Sequence, residues 1–238
     1  MSPVRTLWCP KEGSTDAQYE DAWARSEEAV AVADGASAAV FARQWANLLA
    51  KDFAEGEPVP ARDDAFWARI SALGARWKDE VSEPEDAEKP RAWWAEEKLP
   101  QGSAASLLVV RFEGKKLHAA SVGDVCLFLV RGEKLKYAFP LKKSASFGNH
   151  PALVPTEPSR MKKKPGIVRF SVSVEPGDRF FLCTDALAQW FLLRHEKKAR
   201  PWDELSLTES EFSGWVQARR DDNSLKNDDV TLVELAII

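Results

Sequence analysis

Cysteine is scarce in this chain: three residues in 238, at Cys9, Cys126 and Cys183. They are too few and too far apart for a disulfide framework or a zinc knuckle. Cys126 and Cys183 lie inside apolar runs, which reads as core packing and fits an intracellular, reducing setting. No apolar run approaches the roughly 20 residues needed to cross a bilayer. The first nine residues lack the apolar stretch of a signal peptide. A soluble, cytoplasmic protein is therefore expected, with no membrane partner. An excess of positive charge is also missing. The net charge is −4, so no nucleic-acid partner is expected, because backbone phosphates demand a basic surface. Neither a G-x-S-x-G elbow nor a Cys-centred phosphate loop is present, so the sequence offers no nucleophile of those kinds.

What the chain has is apolar bulk. Hydrophobic residues make up 45%, with ten tryptophans and twelve phenylalanines, enough to fill the core of one large domain. The AVAVA run at 29–33 reads as a buried strand ended by Asp34-Gly35. Phe41, Trp45, Leu48 and Phe53 recur at near-helical spacing, as do Phe66, Ile70, Leu73 and Trp77. The charged, proline-bearing stretch 82–91 reads as a solvated connector. Four short strand-like runs follow, at 106–112, 117–122, 125–131 and 135–139. Glu113-Gly114, Gly123-Asp124 and Gly132-Glu133 separate them as hairpin-type turns, and such close spacing favours antiparallel pairing. The segment 140–166 has little periodicity and reads as a long functional loop. Further strands are expected at 167–174, 180–184 and 230–238, and a helix at 186–195. A second late helix, running to about Arg220, should start at a Thr208/Glu211 capping box. The order of elements suggests an α+β layered fold.

Acidic residues recur where strands end or turn: Asp34, Asp124, Asp185, Asp228 and Asp229, with Asp21 just before the AVAVA strand. Carboxylates at strand ends can converge on one edge of a sheet, and oxygen ligands suit Mg²⁺ or Mn²⁺. Any one of these aspartates could equally be a turn former that satisfies nearby backbone groups.

Six segments set the group in context: YEDAW at 19–23, VADGAS at 32–37, GSAASLLVV at 102–110, SVGDVCLFLVRG at 121–132, LCTDALAQW at 182–190 and NDDVTLVEL at 227–235. Their order and approximate spacing resemble those of the metal-dependent 2C-type protein phosphatases, from Tyr19 to the last residue. The resemblance implies a single phosphatase-like domain over 1–238 with a flap-like loop at 140–166. It implies a four-layer αββα sandwich, two antiparallel sheets flanked by helices. It also implies two divalent cations, Mn²⁺ or Mg²⁺, at one edge. Asp34 would bridge them, the Gly35 carbonyl would join one, and Asp185 and Asp228 would complete the other. Asp21 would touch a metal directly or through water. Asp124 occupies the position of a ligand to a third, weaker ion, and Asp229 stands where the family has Asn, shaping the turn.

The activity so implied is hydrolysis of phosphoserine and phosphothreonine by a water bridging the metals, with a phosphorylated protein as substrate and a Ser/Thr kinase as partner. Four departures stand out. Ala36-Ser37 follows Asp-Gly, Val125 replaces a serine, Ala186 replaces a glycine, and no arginine precedes the first aspartate as a phosphate clamp. Lys11 is the candidate replacement, as a point charge without the bidentate fork. Lys142, Lys143 and Lys162 to Lys164 border the flap region. His118, His150 and His195 are the candidates for protonating a leaving group. Two rivals remain open: a catalytically weak or inactive relative that binds phosphoproteins as a regulatory module, and a hydrolase of small phosphoesters.

Overall fold

Strands that are apolar on both faces need cover on both sides, and this chain supplies it. The computed structural model describes residues 4–82, 93–148 and 150–238. The elements run β1 (Val4–Cys9), β2 (Asp21–Arg25), β3 (Ala29–Gly35), α1 (Ala42–Glu55), α2 (Asp63–Ser82), α3 (Trp93–Lys98), β4 (Ala104–Glu113), β5 (Lys116–Val122), β6 (Cys126–Arg131) and β7 (Lys134–Phe139). They continue as β8 (Val154–Pro155), β9 (Val168–Ser173), β10 (Asp178–Cys183), α4 (Asp185–Glu196), α5 (Pro201–Glu204), α6 (Glu209–Asp221) and β11 (Val230–Ala236). One sheet has the order β1-β11-β10-β6-β7 and the other β2-β3-β4-β5-β9, with β8 added against β4. All recorded strand pairs are antiparallel.

Side-chain alternation sorts the core into three layers. Val30, Val32, Leu108, Val110, Phe180, Leu182, Val233 and Leu235 fill the space between the sheets. Ala31, Ala33, Leu107 and Val109 face the other way, against Trp45, Leu49, Phe53 and Ile70 of α1 and α2. Phe128, Phe181 and Leu232 meet Leu187, Phe191, Phe212 and Val216 of α4 and α6. The expected αββα sandwich is what the chain forms. Small Ala31 and Ala33 let Trp45 lie fully buried against β3, a contact of the size that stabilises by about 1.5–3 kcal/mol per large side chain.

The helices start and stop close to where their periodicity places them. Thr208 donates its backbone N–H to Glu211 at 2.8 Å, closing the capping box before α6. Asp178 and Arg131, register partners on β10 and β6, meet in a bidentate pair: Arg131 Nε and Nη2 donate to the two carboxylate oxygens at 2.6 and 2.8 Å.

Three expectations need correction. Glu113-Gly114 and Gly132-Glu133 do turn hairpins, but Gly123-Asp124 does not. It carries the chain from β5 in one sheet to β6 in the other, and a turn signal says nothing about which sheet the next strand joins. The strands β1 and β2 were not foreseen. They are edge strands, and their mixed sequences, VRTLWC and DAWAR, show no long apolar alternation. The 140–166 loop is partly structured: β8 pairs with the start of β4, and the Val154 carbonyl accepts from Trp45 Nε1 at 2.8 Å. The connector expected over 82–91 lies outside the described residues except for Ser82, which closes α2. Among the described residues no helix is long and apolar enough to cross a membrane.

Candidate metal centre

Five of the singled-out aspartates come to one edge of the sandwich. Asp21 opens β2 opposite Asp34 near the end of β3, and Asp34 is in turn opposite Ser106 on β4. Asp185 begins α4 where β10 ends, and Asp228 precedes β11. Asp124 lies in the crossing between the sheets, its Oδ1 accepting from Ser106 Oγ at 3.2 Å. The edge therefore draws on both sheets.

Backbone geometry fixes these positions. Gly123 has φ +110°, and a Cβ there would sit 2.2 Å from Ser106 Cβ, so only glycine makes this turn next to Asp124. Gly35 is packed so that a Cβ would lie 2.7 Å from the Glu20 carbonyl. Its backbone thus approaches its neighbours with no side chain between. Asp21 is buried, and its Oδ2 accepts from Thr231 Oγ1 at 2.6 Å. Tyr19 hydroxyl hydrogen-bonds the same threonine.

The electrostatics are those of crowded, under-compensated carboxylates. Burial, then Asp21, Asp185, Asp124 and Asp228, holds the Asp34 carboxyl well above the ordinary range. Burial likewise raises Asp21 strongly, with Asp229 and Asp185 adding to it against the threonine hydrogen bonds. Asp124 is pushed up to about 6 by burial and by Asp185. Among the described residues the Asp34 carboxylate has no side-chain hydrogen-bond or ion-pair partner. Hard oxygen donors with unbalanced negative charge suit a divalent cation chemically. As the side chains stand, no three His, Cys, Asp or Glu among the described residues converge closely enough to hold one.

Two lysines enter the edge. Lys11, the candidate phosphate contact, donates to Glu20 Oε2 at 2.8 Å and Ser37 Oγ at 3.1 Å. Asp229 accepts from the backbone N–H groups of Lys11 and Glu20 at 2.8 and 2.7 Å, so it pins the N-terminal segment as well as shaping its own turn. Lys226 was not singled out from the sequence. Its Nζ lies 3.0 Å from Asp185 Oδ2 and 2.7 Å from Asp228 Oδ2. The local signal was a lysine two residues before Asp228, too common a pattern to stand out. Thr231 and Ser106 were also missed, because their partners are distant in sequence. None of the three histidines has one of these aspartates as a recorded partner: His118 bonds Ser171 at 2.6 Å and His195 lies against Trp202.

The raised carboxyls predict a pH effect on the cation-free protein. Their folded pKa values exceed the ordinary value near 4, so the folded state keeps protons that the unfolded chain releases. Stability from this source is full below the ordinary value and is lost as pH rises through the folded ones. Melting in chelator should therefore move to higher temperature as pH falls from about 7.5 to about 5.5. The exposed carboxylates held low by hydrogen bonds, Asp64, Glu196, Glu211 and Asp222, act in the opposite sense only at more acidic pH. A melting temperature that stays flat or falls over this window would contradict the crowding.

The chain belongs to the protein phosphatase 2C family, whose model matches residues 13–219. No curated protein matches the sequence. Solved structures share the fold. Stp1, a serine/threonine phosphatase from Staphylococcus aureus, is 13% identical over 100% of this chain and 96% of that one, with TM-score 0.65. The Mycobacterium tuberculosis serine/threonine phosphatase PstP/Ppp is 17% identical over 99% of both chains, with TM-score 0.60. A PstP catalytic domain in complex with 2 manganese ions is 18% identical over 99% of both, with TM-score 0.59.

Proposed function

We propose that this chain is a metal-dependent protein serine/threonine phosphatase. The observation that carries the reading is the meeting of Asp21, Asp34, Asp124, Asp185 and Asp228, from both sheets, around an Asp34 carboxylate with no partner of its own. Asp34, the Gly35 carbonyl, Asp185 and Asp228 would hold two ions, Mn²⁺ or Mg²⁺, with Asp21 beside them and Asp124 serving a third. Bound there, the ions would supply an activated water and stabilise charge building on the phosphoryl oxygens.

The chain's own groups do the rest. Thr231 and Ser106 aim Asp21 and Asp124 through their hydroxyls. Asp229 and Glu20 hold Lys11 at the rim, where its ammonium can meet a substrate phosphate. Lys11 also borders a pocket of about 310 Å³ with Ser37, Arg43 and Gln44, a place for the polypeptide that bears the phosphate. We take the chain as one phosphatase-like domain with 140–166 as its flap. Ser144 and Ala145 of that segment line the pocket that Lys226 and Asn227 also line. The substrate would be a phosphorylated protein, its phosphate added by a Ser/Thr kinase, and the setting the cytoplasm, in keeping with three buried free thiols.

The deciding experiment is hydrolysis of p-nitrophenyl phosphate and of phosphoserine and phosphothreonine peptides with Mn²⁺, beside a chelated sample. Turnover of the peptides that disappears with chelator supports the proposal, and turnover of small esters alone makes the substrate a metabolite. The seating of Lys226 between Asp185 and Asp228 favours a second reading, a phosphoprotein-binding module without turnover. Peptide binding by folded, Mn²⁺-treated protein that hydrolyses nothing would select it.

A further inference from the structure

Lys226 bridges the two carboxylates that one sheet brings to the proposed centre, at 3.0 Å to Asp185 and 2.7 Å to Asp228. An ammonium between two carboxylates offsets their repulsion as a cation would. The backbone around it is fixed independently. Arg220 Nη2 donates to the Asp228 carbonyl at 2.7 Å, and Asn227 Oδ1 accepts from the Glu12 N–H at 2.8 Å. The side chain is not trapped: it is 52% exposed and borders a polar pocket of about 610 Å³ with Glu12, Gln189, Asn223 and Asn227. A four-carbon stem can swing its charge into that space without moving the strand.

On the metal-centre reading given above, we infer that Lys226 is a tethered competitor for the ion at Asp185 and Asp228. Its ammonium holds the two carboxylates together in the cation-free protein and leaves both when a divalent cation binds. The lysine thereby sets the metal concentration at which the centre fills. Both effects of the ammonium, occupying carboxylate oxygens and repelling a second cation, act in the same direction.

The test is Mn²⁺ binding to the full chain stripped with chelator, followed by calorimetry and by the electron paramagnetic resonance of free Mn²⁺. Wild type, Lys226→Met and Lys226→Arg are compared. A half-exposed ion pair being modest in strength, Lys226→Met should bind one ion about 3- to 30-fold more tightly than wild type, and Lys226→Arg should not. In ¹⁵N-lysine spectra, the ammonium signal missing from Lys226→Met should shift when Mg²⁺ saturates the wild type. Equal or weaker binding by Lys226→Met, with wild-type binding intact, overturns the inference and leaves the metal centre standing. No Mn²⁺ binding by wild type or Lys226→Met, both folded by their melting curves, overturns the metal centre and the inference with it.

Discussion

Replacing Asp34 by Asn should reduce Mn²⁺-dependent hydrolysis by about a thousandfold or more, beyond the 10–100-fold typical of outer-shell contacts, while the cation-free protein melts at a higher temperature. The two effects share one cause. Asp34 is the carboxylate that faces Asp21, Asp124, Asp185 and Asp228. The amide keeps the size and removes the charge, so repulsion falls in the absence of metal and the proposed ligand to both ions would be lost in its presence. The joint readout separates chemistry from folding, since a variant inactive through misfolding would melt lower. Activity within tenfold of wild type would remove Asp34 from the centre. Asp229→Asn should differ sharply, because it accepts two backbone N–H groups that an amide oxygen can still serve in part.

The largest loss of stability is expected at the opposite end of the sandwich. Asp178 is fully buried and holds Arg131 with both oxygens, and its Oδ2 also accepts from the Glu175 N–H at 2.9 Å. Asp178→Ala strands the guanidinium and empties the turn between β9 and β10. Breaking a buried pair from one side costs about 3–5 kcal/mol. The lower half applies here, because Arg131 is 27% exposed and keeps contact with water. At roughly 2–4 °C per kcal/mol for a domain of this size, melting should fall by about 10 °C. Replacing both partners, Arg131→Met with Asp178→Leu, should recover most of the loss, since the buried charge goes with its partner. A single-variant loss below about 1 kcal/mol in urea titration would show that the pair is solvated.

Much of the fold was legible because burial on both faces leaves a plain mark. AVAVA, SLLVV, CLFLV and VTLVEL read as strands covered twice, and amphipathic stretches around Trp45 and Trp77 supply cover for the first of them. The aspartates were legible for a related reason. A carboxylate immediately after such a strand sits at a sheet edge, wherever its partners lie in the chain. What stayed hidden depends on pairing across long separations. Tyr19, Asp21 and Thr231 meet although more than 200 residues separate Thr231 from the other two. Edge strands β1 and β2 carry one covered face or less, so their patterns are diluted. Gly123-Asp124 reads as a hairpin turn by every local rule, and only the non-local choice of sheet makes it a crossing. Lys226 is ordinary in sequence and becomes informative only beside Asp185.

The division of the carboxylates between the sheets makes the centre a clasp joining two leaves. Asp21 and Asp34 ride on one leaf, Asp185 and Asp228 on the other, with the filling of Phe180, Leu182, Val233 and Leu235 between them. Any slip of one leaf against the other changes the jaw of the clasp before it disturbs any single aspartate. Substitutions in the filling would therefore retune the site from a distance, and a cation seated in the proposed jaw would resist the slip. On the proposed reading, turnover and the lateral rigidity of the sandwich would be one property of this chain, read at two places.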